Sequence, residues 1–329
     1  MGQVASYEWH WRIDNYGPLD KMVNIRPVTV DYPVGLFNIE LTNRCPMKCV
    51  MCPRTRNMTR DLGDMAYDLF AKVIDELLSE NPDYRGIHPV WLHHFGESLL
   101  HPEFDRFIKY AASRGVSTGL SINPIMLKND INVRLISSGL NMLYISLDGH
   151  DDESFYRIRG VHGGYQKSYD NVLKFLDLKN QGRCKLTVTL SMIDMALNEE
   201  SIEKTKSYWS QVDGIDNVLI KNFTTWNGSA EDVNMLAGRD HVRHDETDPV
   251  ACAFPWERMT VMWDGSVVPC CNDYDKKLML GNVRDESLAE IWNGKRMQSL
   301  RQEFNSNHVT NPLCQKCDKL RLPREKWRW

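Results

Sequence analysis

The sequence predicts an α/β fold, a partial (β/α)6 barrel followed by a small α+β domain at the C-terminal end. Three observations predict it: short apolar runs alternate with amphipathic stretches from Phe37 to about residue 228, a polar aperiodic segment interrupts them, and a hairpin pattern then precedes a helical one. Strand alternating with helix six times implies parallel strands joined by right-handed crossovers. Six units suit an open, partial barrel better than the eight of a closed one. The resulting boundaries are an N-terminal extension over 1–35, the barrel over 36–228, and a linker with the C-terminal domain over 229–329.

The extension holds several aromatics with Pro18, Pro27 and Pro33, shows no periodicity, and is expected to lie on the main domain. Candidate strands are 37–41, 90–95, 117–122, 142–147, 185–192 and 218–222. Helical stretches lie between them at 67–78, 102–113, 132–138, 168–179 and 201–211. In the first, Leu69, Val73, Leu77 and Leu78 share one helical face. The segment 227–248 reads as linker or loop. Beyond it, 258–263 and 266–270 form a hairpin around Asp264-Gly265, and a helix over 287–304 is entered through Asp285 as N-cap.

Apolar residues at 42% and charged residues at 26% suit a globular core without disulfides. A net charge of -4 argues against a nucleic-acid footprint. The basic tail (Arg321, Arg324, Lys326 and Arg328, with Trp327 and Trp329) reads as a solvated or docking segment. Residues 1–16 lack the apolar core of an export signal, and no run is long and apolar enough for a membrane span. The expectation is a cytoplasmic protein whose nine cysteines are thiols.

Cys45, Cys49 and Cys52 directly follow the first candidate strand, on the edge where parallel sheets and barrels bind ligands. Three thiolates on one loop can hold three irons of a [4Fe–4S] cube and leave the fourth iron open. A zinc site would want a fourth local ligand, and unrelated structural thiols rarely cluster within eight positions. Cys252, Cys270, Cys314 and Cys317 form a second set, with a C-x2-C pair at 314–317 and Gly-x4-Cys from Gly265 to Cys270. By spacing alone this set suits a zinc ribbon and an iron–sulfur cluster equally. Cys184 reads as a small buried residue, and Cys271 as packing or as a thiol able to return a hydrogen atom to a substrate radical. His93 and His94 should point to opposite faces of the second strand, one into the barrel and one towards the helices. Lys221, Asn222, Asp273 and Tyr274 are candidate substrate contacts.

The segment 41–53, Leu-Thr-Asn-Arg-Cys-Pro-Met-Lys-Cys-Val-Met-Cys-Pro, resembles the Cys-x3-Cys-x-hydrophobe-Cys signature of the radical S-adenosylmethionine (SAM) superfamily. Segments 252–256, 264–271 and 281–283 resemble its SPASM domain in the short, single-cluster twitch form. The resemblance implies a partial TIM-like barrel in which Cys45, Cys49 and Cys52 ligate a [4Fe–4S] cluster. SAM would chelate its open iron, with Met51 against the adenine. Phe95-Gly96-Glu97 stands where the family carries Gly-Gly-Glu, so Glu97 would accept the SAM ammonium, while Phe95 departs from the pattern. Ser121 and Asn123 would face the SAM ribose and carboxylate, Ser146 at the end of the fourth strand would join the cofactor site, and Arg159 would pair with that carboxylate. The second set would hold an auxiliary [4Fe–4S] cluster, making two cubanes per chain.

The reaction implied is hydrogen abstraction by a 5′-deoxyadenosyl radical from a small polar, carbohydrate- or aminocyclitol-like molecule. Two-electron alcohol oxidation, with the auxiliary cluster as electron acceptor, is favoured. Redox-neutral epimerisation with Cys271 as hydrogen donor is second, and peptide maturation third, since a barrel starting near residue 37 leaves no room for a preceding peptide-recognition domain. A flavodoxin or ferredoxin is the expected reductant, with no membrane or nucleic-acid partner. A non-catalytic zinc scaffold is the alternative from another class.

Overall fold

The computed structural model describes residues 26–84, 89–199, 202–237 and 249–321. Its first six strands, β1 (Leu36–Ile39), β2 (Val90–Trp91), β3 (Thr118–Ile122), β4 (Met142–Ser146), β5 (Thr187–Asp194) and β6 (Asn217–Asn222), are parallel and pair in chain order. The crossovers carry α1 (Tyr67–Glu80), α2 (Phe104–Ser113), α3 (Asn129–Ile136), α4 (Asp152–Arg159), α5 (Gly164–Gln181) and α6 (Ile202–Trp209). After β6 come α7 (Glu231–Asn234), α8 (Phe254–Glu257), β7 (Met259–Val261), β8 (Ser266–Val268), β9 (Gly281–Asn282), α9 (Leu288–Trp292) and α10 (Lys295–Asn305). This is the expected α/β architecture, a partial barrel of parallel strands followed by a small α+β unit.

Successive strand residues point to opposite faces, and that sorts the chemistry. Leu120, Ile122, Leu143, Ile145, Val188 and Leu190 form one buried apolar face. The opposite face, directed into the barrel, carries Trp91, Ser121, Tyr144, Ser146 and Ser191, whose side chains meet across the strands. On α1, Leu69, Phe70, Val73, Ile74, Leu77 and Leu78 are buried, the face its periodicity predicts.

The two units share one sheet. β7 pairs parallel to β1, placing Thr260 beside Asn38 and Val261 beside Ile39. The sheet therefore runs β6-β5-β4-β3-β2-β1-β7-β8-β9. Gly35 permits this approach, since a Cβ there would lie 1.7 Å from the Glu257 carbonyl oxygen.

Several expectations need correction. The helix expected over 287–304 is two, broken at Asn293-Gly294, and its N-cap is Ser287 rather than Asp285. A capping box between Ser287 and Glu290 satisfies the first-turn N–H groups more fully than an upstream aspartate would. The second strand stops at Trp91, so His93 and His94 lie beyond it and strand alternation does not govern them. His93 packs its ring on Trp91, while His94 turns to Glu40 and the C-terminal unit instead of the helices. The segment 26–35 rests on the C-terminal unit: Trp256 Nε1 donates to the Pro27 carbonyl, Arg301 Nη1 to that of Val28, and Asn293 Nδ2 to that of Val30. α4 had no counterpart among the helical stretches expected, and α7 lies within the expected linker. The basic residues beyond Arg321 lie outside the described residues.

The barrel and the C-terminal unit also meet at one carboxylate. Glu40, with no exposed surface, accepts Nη1 of Arg60 at 2.6 Å and Nη2 at 2.5 Å, and also the backbone N–H groups of Phe95 and Trp263. Burial alone would raise its pKa, but the neighbouring His94 ring and the bonds from Arg60 bring it down from 4.5 to about 2. Arg60→Ala should destabilise the chain by about 3–5 kcal/mol, because it leaves a buried carboxylate uncompensated. The depressed pKa adds stability that is present above pH 4.5 and lost as pH falls towards 2. Guanidinium unfolding of anaerobically handled protein should show that slope in the wild type and a flatter one in Glu40→Gln.

Candidate active site

The loop after β1 is positioned by its backbone. Lys48 N donates to the Arg159 carbonyl at 3.2 Å and Val50 N to that of Ile158 at 3.0 Å, lacing the loop to the end of α4. Gly160, at φ 71°, allows this contact, since a Cβ would sit 2.8 Å from Lys48. Arg54 clips the loop from the other side, donating to the carbonyls of Asn43 and Cys45, each at 2.9 Å. Trp226 Nε1 holds the carbonyl of the buried Met51 at 2.9 Å.

Cys45, Cys49 and Cys52 are thereby brought together. As free thiols, Cys45 and Cys52 are each pushed up to about 12. Burial is the first cause for both; Glu97 comes next for Cys45, and the neighbouring Cys49 for Cys52. Residues 44–55 contain no His, Asp or Glu that would complete a four-ligand zinc site.

Other polar groups around the loop have unfilled capacity. Glu97 is buried; its carboxylate caps Leu99 N at 3.2 Å and accepts Asn123 N at 2.8 Å. Burial pushes it up to about 7, so a cationic partner would stabilise it. Asn123 spends its side-chain oxygen on Ile125 N, while its buried Nδ2 has no partner. Gly96 lets this segment approach, because a Cβ there would lie 2.1 Å from the Thr42 carbonyl oxygen. A ligand bearing ammonium and carboxylate groups matches a buried carboxylate beside an unsatisfied amide donor, so the residues fit SAM. Arg159 is engaged otherwise than expected: Nη2 pairs with Asp148, Nη1 donates to the Cys49 sulfur at 3.5 Å, and the buried Nε is unpartnered. Asp148 also accepts Ile193 N at 2.7 Å.

The C-terminal cysteines form a second group. The thiols of Cys252, Cys270 and Cys314 each feel Cys317, and all four are raised, Cys252 to about 12 and Cys317 to about 11, both first by burial. For Cys270 the bond with Cys271 comes first and burial second. Cys271 faces other neighbours: the Cys270 bond and then Arg258, Lys319 and His94 pull it down to about 6 against burial. Its carbonyl accepts His94 Nε2 at 2.8 Å. Asn272 donates N–H to the Cys270 sulfur at 3.3 Å and points Nδ2 at the Cys317 sulfur at 3.9 Å. Four thiols without a free position suit a fully ligated cluster, with Asn272 hydrogen-bonding its sulfurs.

The barrel-facing side of the parallel strands carries its own polar and aromatic groups. Ser121, Ser146 and Ser191 form a row of hydroxyls at 3.2 and 3.4 Å. Beneath it Trp91 and Tyr144 meet edge to face, their centroids 4.7 Å apart, and Gly119 makes room for the Trp91 ring. Lys221 lies over the Tyr144 ring, 5.0 Å from its centre. His93 Nδ1 accepts Ser121 N at 3.1 Å; burial first, and Lys221 next, hold the ring neutral by lowering its pKa to about 3. Asp273, buried and accepting from Lys277 N and Leu278 N, is used inside its own turn, while Tyr274 packs on Phe95. Phe95 also packs on Trp226, so the departure from the glycine pattern supplies a contact between the units.

Sequence reasoning missed Glu40, Arg60, Trp226 and Asn272. A glutamate ending an apolar strand run was the signal available for Glu40. The other three have partners far along the chain and gave no local sign.

These features define an iron–sulfur barrel protein: a parallel partial barrel with three thiols at its ligand-binding edge and four more on an appended unit. Comparison with known proteins takes this further. A model of the radical SAM superfamily matches residues 39–208, and one of the SPASM iron–sulfur cluster-binding domain matches residues 252–318. The chain belongs to the radical SAM superfamily. It is a radical SAM enzyme, carrying a SAM-binding [4Fe–4S] cluster and further iron–sulfur ligation in the SPASM domain.

The chain is 24% identical to a tungsten-containing aldehyde ferredoxin oxidoreductase cofactor-modifying protein of Pyrococcus furiosus, over 85% of its own length and 86% of the relative's. It is 19% identical to an S-adenosyl-L-methionine-dependent 2-deoxy-scyllo-inosamine dehydrogenase of Niallia circulans, over 90% and 98%. The crystal structure of BtrN in complex with AdoMet and 2-DOIA shares the fold at a TM-score of 0.60 and 18% identity, covering 91% of this chain and 98% of that one. That of Streptococcus suis SuiB bound to precursor peptide SuiA does so at 0.63 and 14%, covering 89% and 71%. No helix among the described residues is long and apolar enough to cross a membrane.

If the first three thiols carry one cube, Cys45→Ala should lower iron from about eight atoms per chain to about four in anaerobic iron and sulfide analysis. Asn123→Ala should weaken SAM binding about 2–10-fold, the worth of one hydrogen bond, with iron content unchanged. Full iron in Cys45→Ala would move the cluster away from this loop.

Proposed function

We propose that the enzyme oxidises an alcohol carbon of a small, carbohydrate-like polyol held in the barrel lumen. The observation that carries this reading is the barrel-facing side of the sheet, where a row of serine hydroxyls lies above an aromatic floor. The bound groups supply a 5′-deoxyadenosyl radical, able to take hydrogen from an unactivated C–H bond, and an electron acceptor in the SPASM unit. We assign Cys45, Cys49 and Cys52 to the first cluster, Cys252, Cys270, Cys314 and Cys317 to the second, and Glu97 and Asn123 to SAM.

The chain's own residues then act by placement and exclusion of water. Ser121 and Ser146, expected from the sequence at the SAM site, lie in one hydroxyl row with Ser191, and we assign all three to substrate hydroxyls, each both donating and accepting. Trp91 and Tyr144 close the floor and present an apolar face to ring C–H groups. His93, neutral with Nδ1 occupied by Ser121 N, keeps its proton on Nε2 and serves as a donor. The N-cap bonds of Glu97 to Leu99 and Asn123 fix that carboxylate before a cationic group arrives. The named activity of the Niallia circulans relative, aligned over nearly its full length, supports a small polyol substrate.

Epimerisation is the second reading, favoured by one observation: Cys271 is a fifth thiol in the unit, bonded to Cys270 and lying near Arg258, Lys319 and His94. Turnover of Cys271→Ala separates the two. As a dehydrogenase it should form ketone at a rate within about twofold of the wild type, one ketone per 5′-deoxyadenosine; as an epimerase it should stall. Deuterium from D2O appearing at a substrate carbon, with no ketone formed by the wild type, would overturn the oxidation reading.

A further inference from the structure

Lys221 is the charged group in the lumen that the arrangement above leaves without a task. It stands on β6, on the barrel-facing side, with Ile193 as its register partner and Tyr144 beneath it. It makes no hydrogen bond or ion pair with the described residues. The charged and titratable groups facing it come from every neighbouring element. Asp148, after β4, is spent on Arg159 of α4 and on Ile193 N. His93, after β2, is neutral. Lys319, from the C-terminal unit, adds a like charge, and Tyr144 offers a ring face.

Burial, opposed by Asp148 and reinforced by Arg159 and Lys319, brings the ammonium down to about 8. A lysine in that setting is stabilised by a negative group and destabilised by a second cation. The surrounding hydroxyls are neutral, so they do not supply the missing charge.

We propose that Lys221 is a specificity-determining residue that seats an anionic group, a phosphoryl or carboxylate, on the polyol substrate. The site thereby selects against ammonium-bearing rings. This rests on the lumen being the substrate site, and it narrows the substrate to an acidic polyol. The relative named for 2-deoxy-scyllo-inosamine takes an amine, so the two lumens would differ in charge preference. One ammonium over an aromatic face is a weak binder of a free anion in water. Enclosed among hydroxyls that hold the rest of a polyol, it becomes a discriminating contact.

The test is equilibrium binding by anaerobic calorimetry to the iron-loaded protein saturated with SAM, which does not depend on turnover. The probes are myo-inositol, glucosamine, glucose 6-phosphate and gluconate. The phosphate or the carboxylate should bind about tenfold or more tighter than the neutral and amino probes, and the arm that wins identifies the anion. Lys221→Gln should abolish the preference, Lys221→Arg should retain it, and SAM affinity should stay unchanged in both. Circular dichroism and iron content certify that each variant is folded and loaded.

The proposal is overturned if glucosamine or myo-inositol binds as tightly as the acidic probes, or if no acidic probe binds. It is equally overturned if Lys221→Gln weakens SAM about tenfold, which would give the lysine to the cofactor's carboxylate. Acidic probes that bind as expected yet are never oxidised would sink the oxidation reading and leave the charge preference standing.

Discussion

Glu40 directly follows β1 as a carboxylate shielded from solvent, and three separate segments converge on it. Arg60 reaches it from beyond the cysteine loop, His94 and Phe95 from the end of β2, and Trp263 from the turn after β7. An ionised carboxylate in that position is tolerable only with its oxygens satisfied, and the bidentate guanidinium with two backbone donors does so. Arg60 then donates to the Tyr274 carbonyl, and His94 to that of Cys271, so the C-terminal cysteines are referenced to the same point as the first loop. The relative placement of the two thiol groups thus depends on one buried ion pair.

Around this anchor, the site is held mainly by backbone bonds. The first cysteine loop is laced to α4 through main-chain N–H groups and clipped by Arg54, so its position does not depend on its thiols. The same economy holds in the SPASM unit, where Asn272 spends its N–H and its amide on sulfur and on the Trp226 carbonyl. Trp226 closes the circuit by holding Met51. A thiol ligand must be deprotonated at little cost, and burial opposes that; a metal centre arriving among raised thiols reverses the balance.

The barrel-facing side of the sheet combines three kinds of group. Its floor is aromatic, its wall is hydroxyl, and its ammonium has no carboxylate partner among the described residues. Radical chemistry attacks whatever is nearest, so on the reading proposed above selectivity falls to these contacts.

The sequence by itself determined the class of fold and the two thiol groups, for physical reasons that are local. Alternation at period two and helical periodicity between short apolar runs specify parallel α/β units, and three cysteines on one loop keep their mutual proximity in any fold. It did not reveal that β7 completes the barrel sheet beside β1, that Arg159 is shared with Asp148, or that His94 faces the C-terminal unit. Each of those contacts joins residues far apart in the chain or depends on where a strand stops, which propensity does not encode. The unpaired state of Lys221 belongs with them. Its residue type was visible from the start, but whether a carboxylate would meet it was settled only when Asp148 folded against Arg159.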